Sequence, residues 1–458
     1  MKTVADTTLQ RFHSAAVRQS AAMDELVRQA VFGAPDEREQ ARWLIWEIGQ
    51  RAGVRPASIH ELYMARGRGE VRAFTTPAMN LRVLAYDSAR AVFRAAKRLD
   101  VGALICEIAR SEIGYTEQRP AEYVAVMTAA ALREGFTGPL FIQGDHVQVN
   151  AKKYAVDPDA ELQALRTLID EELHAGFYNI DVDTSTLVDL SQPTLDAQQR
   201  VNYERAAELT KFIREREPEG VTVSVGAEIG EVGGKNSDVH ELKAFMEGYI
   251  RALARLGPYA GISKISVQTG TSHGGVVLPD GSIAKVQLDL AALAALSTDA
   301  RAKYGLGGAV QHGASTLPPD AFGNFPKCEA IEIHLATNFQ TILFDHPRLP
   351  PDVRREINEW VKAECRDEWK KGDTEEQFIY KSRKKAIGPF KRRLWDMAAD
   401  ERAAIAADLE KTFAFLFEQL RVTGTRAIID RYVKPPLQSH AQPRPVAVAA
   451  PDDLEAGE

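Results

Sequence analysis

Cysteine is scarce in this chain. Three occur in 458 residues, Cys106, Cys328 and Cys365, far apart and forming no Cys-x-x-Cys pair. That argues against a disulfide framework and a cysteine zinc site, and fits a reducing cytosol. Long apolar runs are missing too. No stretch approaches the roughly 18–20 residues of a membrane span, and the N-terminal MKTVADTTLQRFHSAA lacks the uninterrupted apolar core of a signal peptide. The expectation is a cytoplasmic protein with no membrane partner. Neither sign of charge dominates: 57 Lys and Arg stand against 64 Asp and Glu, a formal net charge of −7. So mild an acidic balance gives no reason to expect nucleic acid. No internal repeat stands out.

What is present is helical at the start. From residue 1 to about 68, apolar positions such as Ala22, Met23, Leu26, Val27 and Ala30, then Trp43, Leu44, Ile45 and Ile48, recur at three-to-four spacing, with Pro35-Asp36 as a break and N-cap. No catalytic constellation falls here, so 1–68 reads as a helical extension. From about Val71, short apolar runs alternate with amphipathic helices. Eight candidate strands lie near Val71–Thr75, Ala103–Ile108, Leu140–Gln143, Asn179–Val182, Val221–Ala227, Ile262–Val267, Gly308–Gln311 and Ile331–Leu335. Alternation of this kind over 69–345 predicts an α/β fold, a (β/α)8 TIM barrel with additional helices at both ends. An open doubly wound sheet is the competing architecture, but no Gly-rich nucleotide turn follows the first strand. Residues 346–434 turn helical and strongly charged, a C-terminal extension. The Pro/Ala-rich 435–458 reads as a disordered tail.

Three predicted strands each deliver a histidine to the end where a parallel barrel places its chemistry. Ile262–Gly275 (ISKISVQTGTSHGG) presents His273, Leu140–His146 runs into Asp145-His146, and Gly308–Ser315 runs into His312. Three such histidines suggest a metal site with an open position.

In motif order these strand ends resemble the class II, metal-dependent fructose/tagatose-bisphosphate aldolases, from roughly Thr75 to Asn338. GDH at 144–146 resembles the family's DH pair, and IDVDTS at 180–185 its IDGS. GAEIGEVGG at 226–234 is similar to EAELG-x-x-GG, and GTSHGG at 270–275 to GTSHG. QHGAS at 311–315 is similar to HGGS, and IHLATN at 333–338 to INIATD. The resemblance implies Zn2+, or another divalent metal, on His146, His273 and His312. Asp145 would be the acid/base that passes a proton to and from the aldehyde oxygen. Glu228 and Asp183 match acidic positions around the metal, where carboxylates ligate, orient histidine rings or hold a second ion; on the residues alone Asp183 equally reads as a helix cap, and Glu228 as a partner for the barrel lysine Lys264. Gly274, Gly275, Gly313 and Ser315 match loops that present backbone N–H groups to a substrate phosphate, and Thr337 a further phosphate-side position. A monovalent cation near these loops is a family habit.

Departures fall on the substrate side. Family members carry a Glu just after the GG of the fifth-strand segment as the base that moves the substrate proton. Here Gly233-Gly234-Lys235-Asn236-Ser237-Asp238 has none, leaving Asp238 or Glu231 as substitutes. The Asn of the INIATD strand is His334, its final Asp is Asn338, and Val277 stands where a lysine often follows SHG. Tyr380–Arg393 loosely resembles a basic C-terminal segment that serves the far phosphate, which points to Arg383 or Lys384; a solvated basic helix face is the alternative. The resulting expectation is a zinc-dependent homo-oligomeric aldolase, cleaving a phosphorylated ketose (by default fructose 1,6-bisphosphate) to dihydroxyacetone phosphate and an aldehyde through a metal-stabilised enediolate. The alternatives are a non-catalytic barrel supporting a partner aldolase, or a metal-dependent lyase on another sugar phosphate.

Overall fold

A computed structural model describes residues 4–230, 235–270 and 288–442. Eight parallel strands close into a barrel: β2 (Thr76–Asn80), β3 (Ile105–Ala109), β4 (Gly138–Gln148), β5 (Asn179–Asp183), β6 (Ser224–Glu228), β7 (Lys264–Val267), β8 (Ala309–Gln311) and β9 (Glu332–Leu335). Neighbours in sequence pair around the circle, and β9 returns to β2 with Thr76 opposite Glu332. The barrel strands are buried along almost their whole length, as expected of strands covered by helices outside and side chains inside.

Seven of the eight expected strands fall where the sequence places them. The first is displaced. Val71–Thr75 is not the barrel strand: Thr75 donates its N–H to Leu420 O at 3.0 Å, and the barrel strand starts at Thr76. A ninth strand, β1 (Val54–Ala57), lies inside the region read as a helical extension. It pairs in parallel with the first half of β4, Val54 opposite Gly138 and Ala57 opposite Phe141, while β5 takes the second half.

The two extensions pack on the same flank of the barrel. Helices Ala21–Phe32 and Pro35–Ala52 lie against Pro120–Glu134, and Ala399–Gln419 lies against Ala85–Arg98. Sandwiched between the barrel and the N-terminal helices, Pro120–Glu134 is apolar nearly all round: Tyr123 to Leu132 are buried without interruption. Glu122 on this helix joins both extensions, because it pairs with Arg42 at 3.3 Å and with Lys391. Residues 435–442, read from the sequence as the start of a disordered tail, lie on the N-terminal helices. Trp46 Nε1 donates to Gln438 O at 2.9 Å, Trp43 Nε1 to His440 O at 2.9 Å, and the His440 ring stacks on Trp46 at 3.8 Å. Among the described residues no helix is long and apolar enough to cross a membrane.

Candidate functional site

Residues two apart on a strand face the same way, so polar pairs on neighbouring strands build two layers inside the barrel. Asp181 and Asp183 come from β5, Gly226 and Glu228 from β6, Lys264 and Ser266 from β7, Glu332 and His334 from β9.

The lower layer is centred on Lys264, which is fully buried. Its Nζ donates to Glu332 Oε1 at 2.5 Å, Gln143 Oε1 at 2.7 Å and Asp181 Oδ2 at 2.9 Å. Gly226 leaves room for this pairing, since a Cβ there would stand 2.3 Å from Asp181 Oδ1 and 2.9 Å from Lys264 Cε. Tyr63 donates to Glu332 Oε2 at 2.5 Å, and Gln143 Nε2 to Glu107 Oε2 at 2.9 Å. Burial pushes Asp181 up to about 6, against the pull of Lys264. Burial acts the same way on Glu332, but Lys264 and His334 outweigh it and hold that carboxyl at about 2.

The upper layer holds the residues expected to bind metal. The ladder between β4 and β5 slips between Gly144 and Val147, and His146 sits at φ 40°, in the left-handed region. A non-glycine residue held there is strained, and the bulge re-aims its side chain into the barrel mouth. His146 Nδ1 lies 3.0 Å from Asp183 Oδ2 and 3.5 Å from Glu228 Oε2. Its Nε2 faces His312 Nδ1 at 2.6 Å, and His312 Nε2 lies 2.9 Å from Ser266 Oγ. Asp183 also accepts from Gln148 Nε2 at 2.7 Å and from the N–H and hydroxyl of Ser185 at 3.0 and 2.7 Å. It therefore orients the His146 ring and secures its own turn at once. Glu228 does not partner Lys264, whose three contacts lie in the lower layer.

These residues fit a divalent cation. Two ring nitrogens facing each other at 2.6 Å must share a hydrogen or turn together toward a common cation. Asp145, His146 and His312 bring ligand atoms within 4.8 Å of one another, and so do His146, Asp183 and Glu228. Burial and then Asp183 push Glu228 well above the usual carboxylate range. His146 is disfavoured as a cation by burial, yet Asp145, Asp183 and Glu228 together hold it well above the usual imidazole range. Three carboxyl groups, those of Asp145, Asp183 and Glu228, lie around the His146 ring, an arrangement that a bound cation would stabilise. His273, Gly274 and Gly275, like Glu231, lie outside the described residues.

On the expected phosphate side, Gly313 adopts φ 68°, and Ser315 Oγ accepts the N–H of Ala336 at 2.6 Å. That bond brings the β8 loop with Gly313 and Ser315 beside Thr337, which opens helix Thr337–Phe344. Arg383 is already engaged: Nη1 and Nη2 reach Asp345 at 2.5 and 3.0 Å, and the guanidinium lies against Phe344 and Tyr380. Asp238 caps helix Val239–Leu256, accepting from His240 and Glu241 at 2.8 and 3.0 Å, and this accounts for its carboxylate better than the role of loop base.

Sequence reasoning did not place the lower layer. A charged residue two positions from another polar one inside an otherwise apolar strand, as in IDVD, ISKIS and IEIHL, is the signal that could have found it. His334, noted only as a departure, lies at the centre: Nδ1 is 2.9 Å from Asp145 Oδ1, Nε2 is 2.7 Å from Glu332 Oε1, and the ring stacks on His312 at 4.1 Å.

No curated protein matches this sequence. Among solved structures, a probable tagatose 6 phosphate kinase from Sinorhizobium meliloti 1021 is 17% identical, covers 78% of this chain and 93% of its own, and gives a TM-score of 0.51. The fructuronate-tagaturonate epimerase UxaE of Cohnella laeviribosi is 12% identical, covers 76% and 82%, and scores 0.52. Both likenesses show the fold. The fructose-bisphosphate aldolase of Campylobacter jejuni is 16% identical over 81% and 98% of the two chains, with a TM-score of 0.47. The family model for fructose-bisphosphate aldolase class-II matches residues 70–387, a span that holds all eight barrel strands and, apart from Tyr63, both layers of the site. With the strand-end histidines and carboxylates in that family's order, the chain belongs to the class II fructose-bisphosphate aldolase family.

Proposed function

We propose that this protein is a divalent-metal-dependent aldolase, with zinc the first metal to test, that cleaves a phosphorylated ketose to dihydroxyacetone phosphate and an aldehyde. The observation that carries the reading is the His146–His312 pair at 2.6 Å, ringed by Asp145, Asp183 and Glu228 at the barrel mouth. His146 and His312, with His273, would hold the ion, and Glu228 would add a carboxylate. When bound, the ion supplies the Lewis acidity that polarises a ketone. The chain's own residues do the rest. Asp183 fixes the His146 ring so that Nε2 faces the site. Asp145 takes the hydroxyl proton of the aldehyde-forming carbon in cleavage and returns it in condensation. Backbone N–H groups around Gly313 and Ser315, with Thr337, would receive a phosphate. Fructose 1,6-bisphosphate is the default ketose.

One observation favours a second reading, a non-catalytic barrel that supports a partner aldolase: the family's loop Glu is missing, and Asp238 is spent on a cap. Cleavage of fructose 1,6-bisphosphate by the purified protein, coupled to detection of dihydroxyacetone phosphate, separates the two when run beside metal analysis, a chelator and His312→Ala. Turnover abolished by chelator and substitution supports the aldolase. Bound metal without turnover moves the reading to another ketose phosphate. Neither metal nor turnover leaves the supporting subunit.

A further inference from the structure

The geometry points to His334 as a positioning residue that fixes the Asp145 carboxylate for its proton transfer, a role that rests on the aldolase reading. Asp145 lies next to the bulged position of His146, and its carboxylate meets His334 through the 2.9 Å contact of Nδ1 with Oδ1. The His334 ring is itself held on three sides. It stacks on His312 with planes 27° apart, Nε2 meets Glu332 Oε1 at 2.7 Å, and Nδ1 lies 3.3 Å from Glu107 Oε2. Glu332 is held in turn by Lys264, Tyr63 and Gln143. Every member of this chain of contacts is buried, Lys264 and Glu332 completely and His334 to within 5% exposure. A rigid path thus runs from the middle of the barrel to the one carboxylate that must meet the aldehyde oxygen. Orientation of this kind matters because a group that transfers a proton must stay within hydrogen-bond reach of it.

In cleavage, Asp145 accepts the hydroxyl proton as the carbon–carbon bond breaks, the bonding pair passes to the ketone half, and the aldehyde leaves. Exchange of a carbon-bound proton of dihydroxyacetone phosphate with solvent breaks only a C–H bond and needs no aldehyde. A defect confined to Asp145 therefore slows cleavage and spares exchange.

Two substitutions separate positioning of Asp145 from plain filling of the core. In His334→Asn the side-chain amide falls near the place of Nδ1 and keeps a donor toward Asp145. In His334→Gln it reaches the place of Nε2 and keeps the contact with Glu332. Both are assayed after thermal melting shows a folded protein, with fructose 1,6-bisphosphate for cleavage and dihydroxyacetone phosphate in D2O for exchange. We expect His334→Gln to lose about 100-fold in kcat for cleavage with KM within about threefold, while His334→Asn loses about tenfold or less. Exchange should stay within about threefold of wild type in both. In the Asp145→Asn background, His334→Gln should add less than about threefold, as coupled residues do. Equal losses for Asn and Gln, a loss expressed in KM, loss of exchange alongside cleavage, or independent losses in the double variant would overturn the role. Wild type that neither cleaves the bisphosphate nor exchanges dihydroxyacetone phosphate would instead remove the aldolase reading beneath it.

Discussion

At the scale of single residues, Lys264 is the most consequential side chain of the barrel interior. One fully buried ammonium faces Asp181 and Glu332, and removing one partner from such a cluster leaves buried charge uncompensated. Lys264→Met should cost about 3–5 kcal/mol, read as a lowered urea midpoint; a midpoint near wild type would show that the carboxylates find other compensation. Asp183→Asn tests the mouth instead. It keeps the shape but weakens the hold on the His146 ring, and metal affinity should fall by about 10–100-fold, measured by competition with a chromogenic chelator. His146 and His312, which the barrel brings together, could be picked out in the sequence because each ends an apolar run. Lys264, Glu332 and His334 were not, because a charged residue alternating with β-branched ones also describes a strand with one wet face. Closure of the sheet turns one face into the barrel interior, and the surrounding helices cover the other.

At the scale of elements, seven of the eight barrel strands could be placed because buried parallel strands are short apolar runs with helices between them. β1 could not. Its four residues, Val-Arg-Pro-Ala, include a proline, which weakens any strand assignment, and they sit among strong helices. The displacement of the first barrel strand has a similar origin: Thr75 belongs by composition to a strand but pairs with Leu420, a partner no local pattern reveals. Docking of residues 435–442 was equally hidden, since polar contacts hold it rather than an apolar stripe, among them the two indole N–H groups, Arg55, Tyr178 and Gln50. His440 makes this contact sensitive to pH. Burial against Trp46, with a smaller push from the nearby His174, depresses its pKa to about 4 from 6.5. A histidine depressed in the folded state binds its proton more readily when released. The contact is therefore at full strength above about pH 6.5 and weakens as pH falls toward 4. Tryptophan emission should change across that window in wild type and not in His440→Phe; identical titrations would exclude His440 as the cause.

At the scale of the whole molecule, stability and metal binding should be linked. A ligand bound only by the folded state raises unfolding free energy by about 2.7 kcal/mol at a hundredfold excess over its dissociation constant. Stripping the protein with a chelator should lower Tm by several degrees, and zinc should restore it, with no such response in His146→Ala. A melt unchanged by chelator and zinc would count against a resident ion. The two extensions should act as one body, because Glu122 is shared between Arg42 and Lys391. Glu122→Gln ought to loosen both, visible as faster amide exchange in helices Pro35–Ala52 and Lys391–Trp395 together; a response in one alone would mean that the extensions are independent.

The bond from Trp46 to the carbonyl of Gln438 spans 392 positions of the chain. During synthesis the indole emerges 392 residues ahead of its partner. β1 has a shorter wait, for Gly138–Phe141. The N-terminal helices thus leave the ribosome with an apolar face and two unanswered donors, and gain their final cover only after the barrel is complete. Vectorial synthesis thereby makes residues 435–442 a late step in the assembly of helix Pro35–Ala52, made long before them.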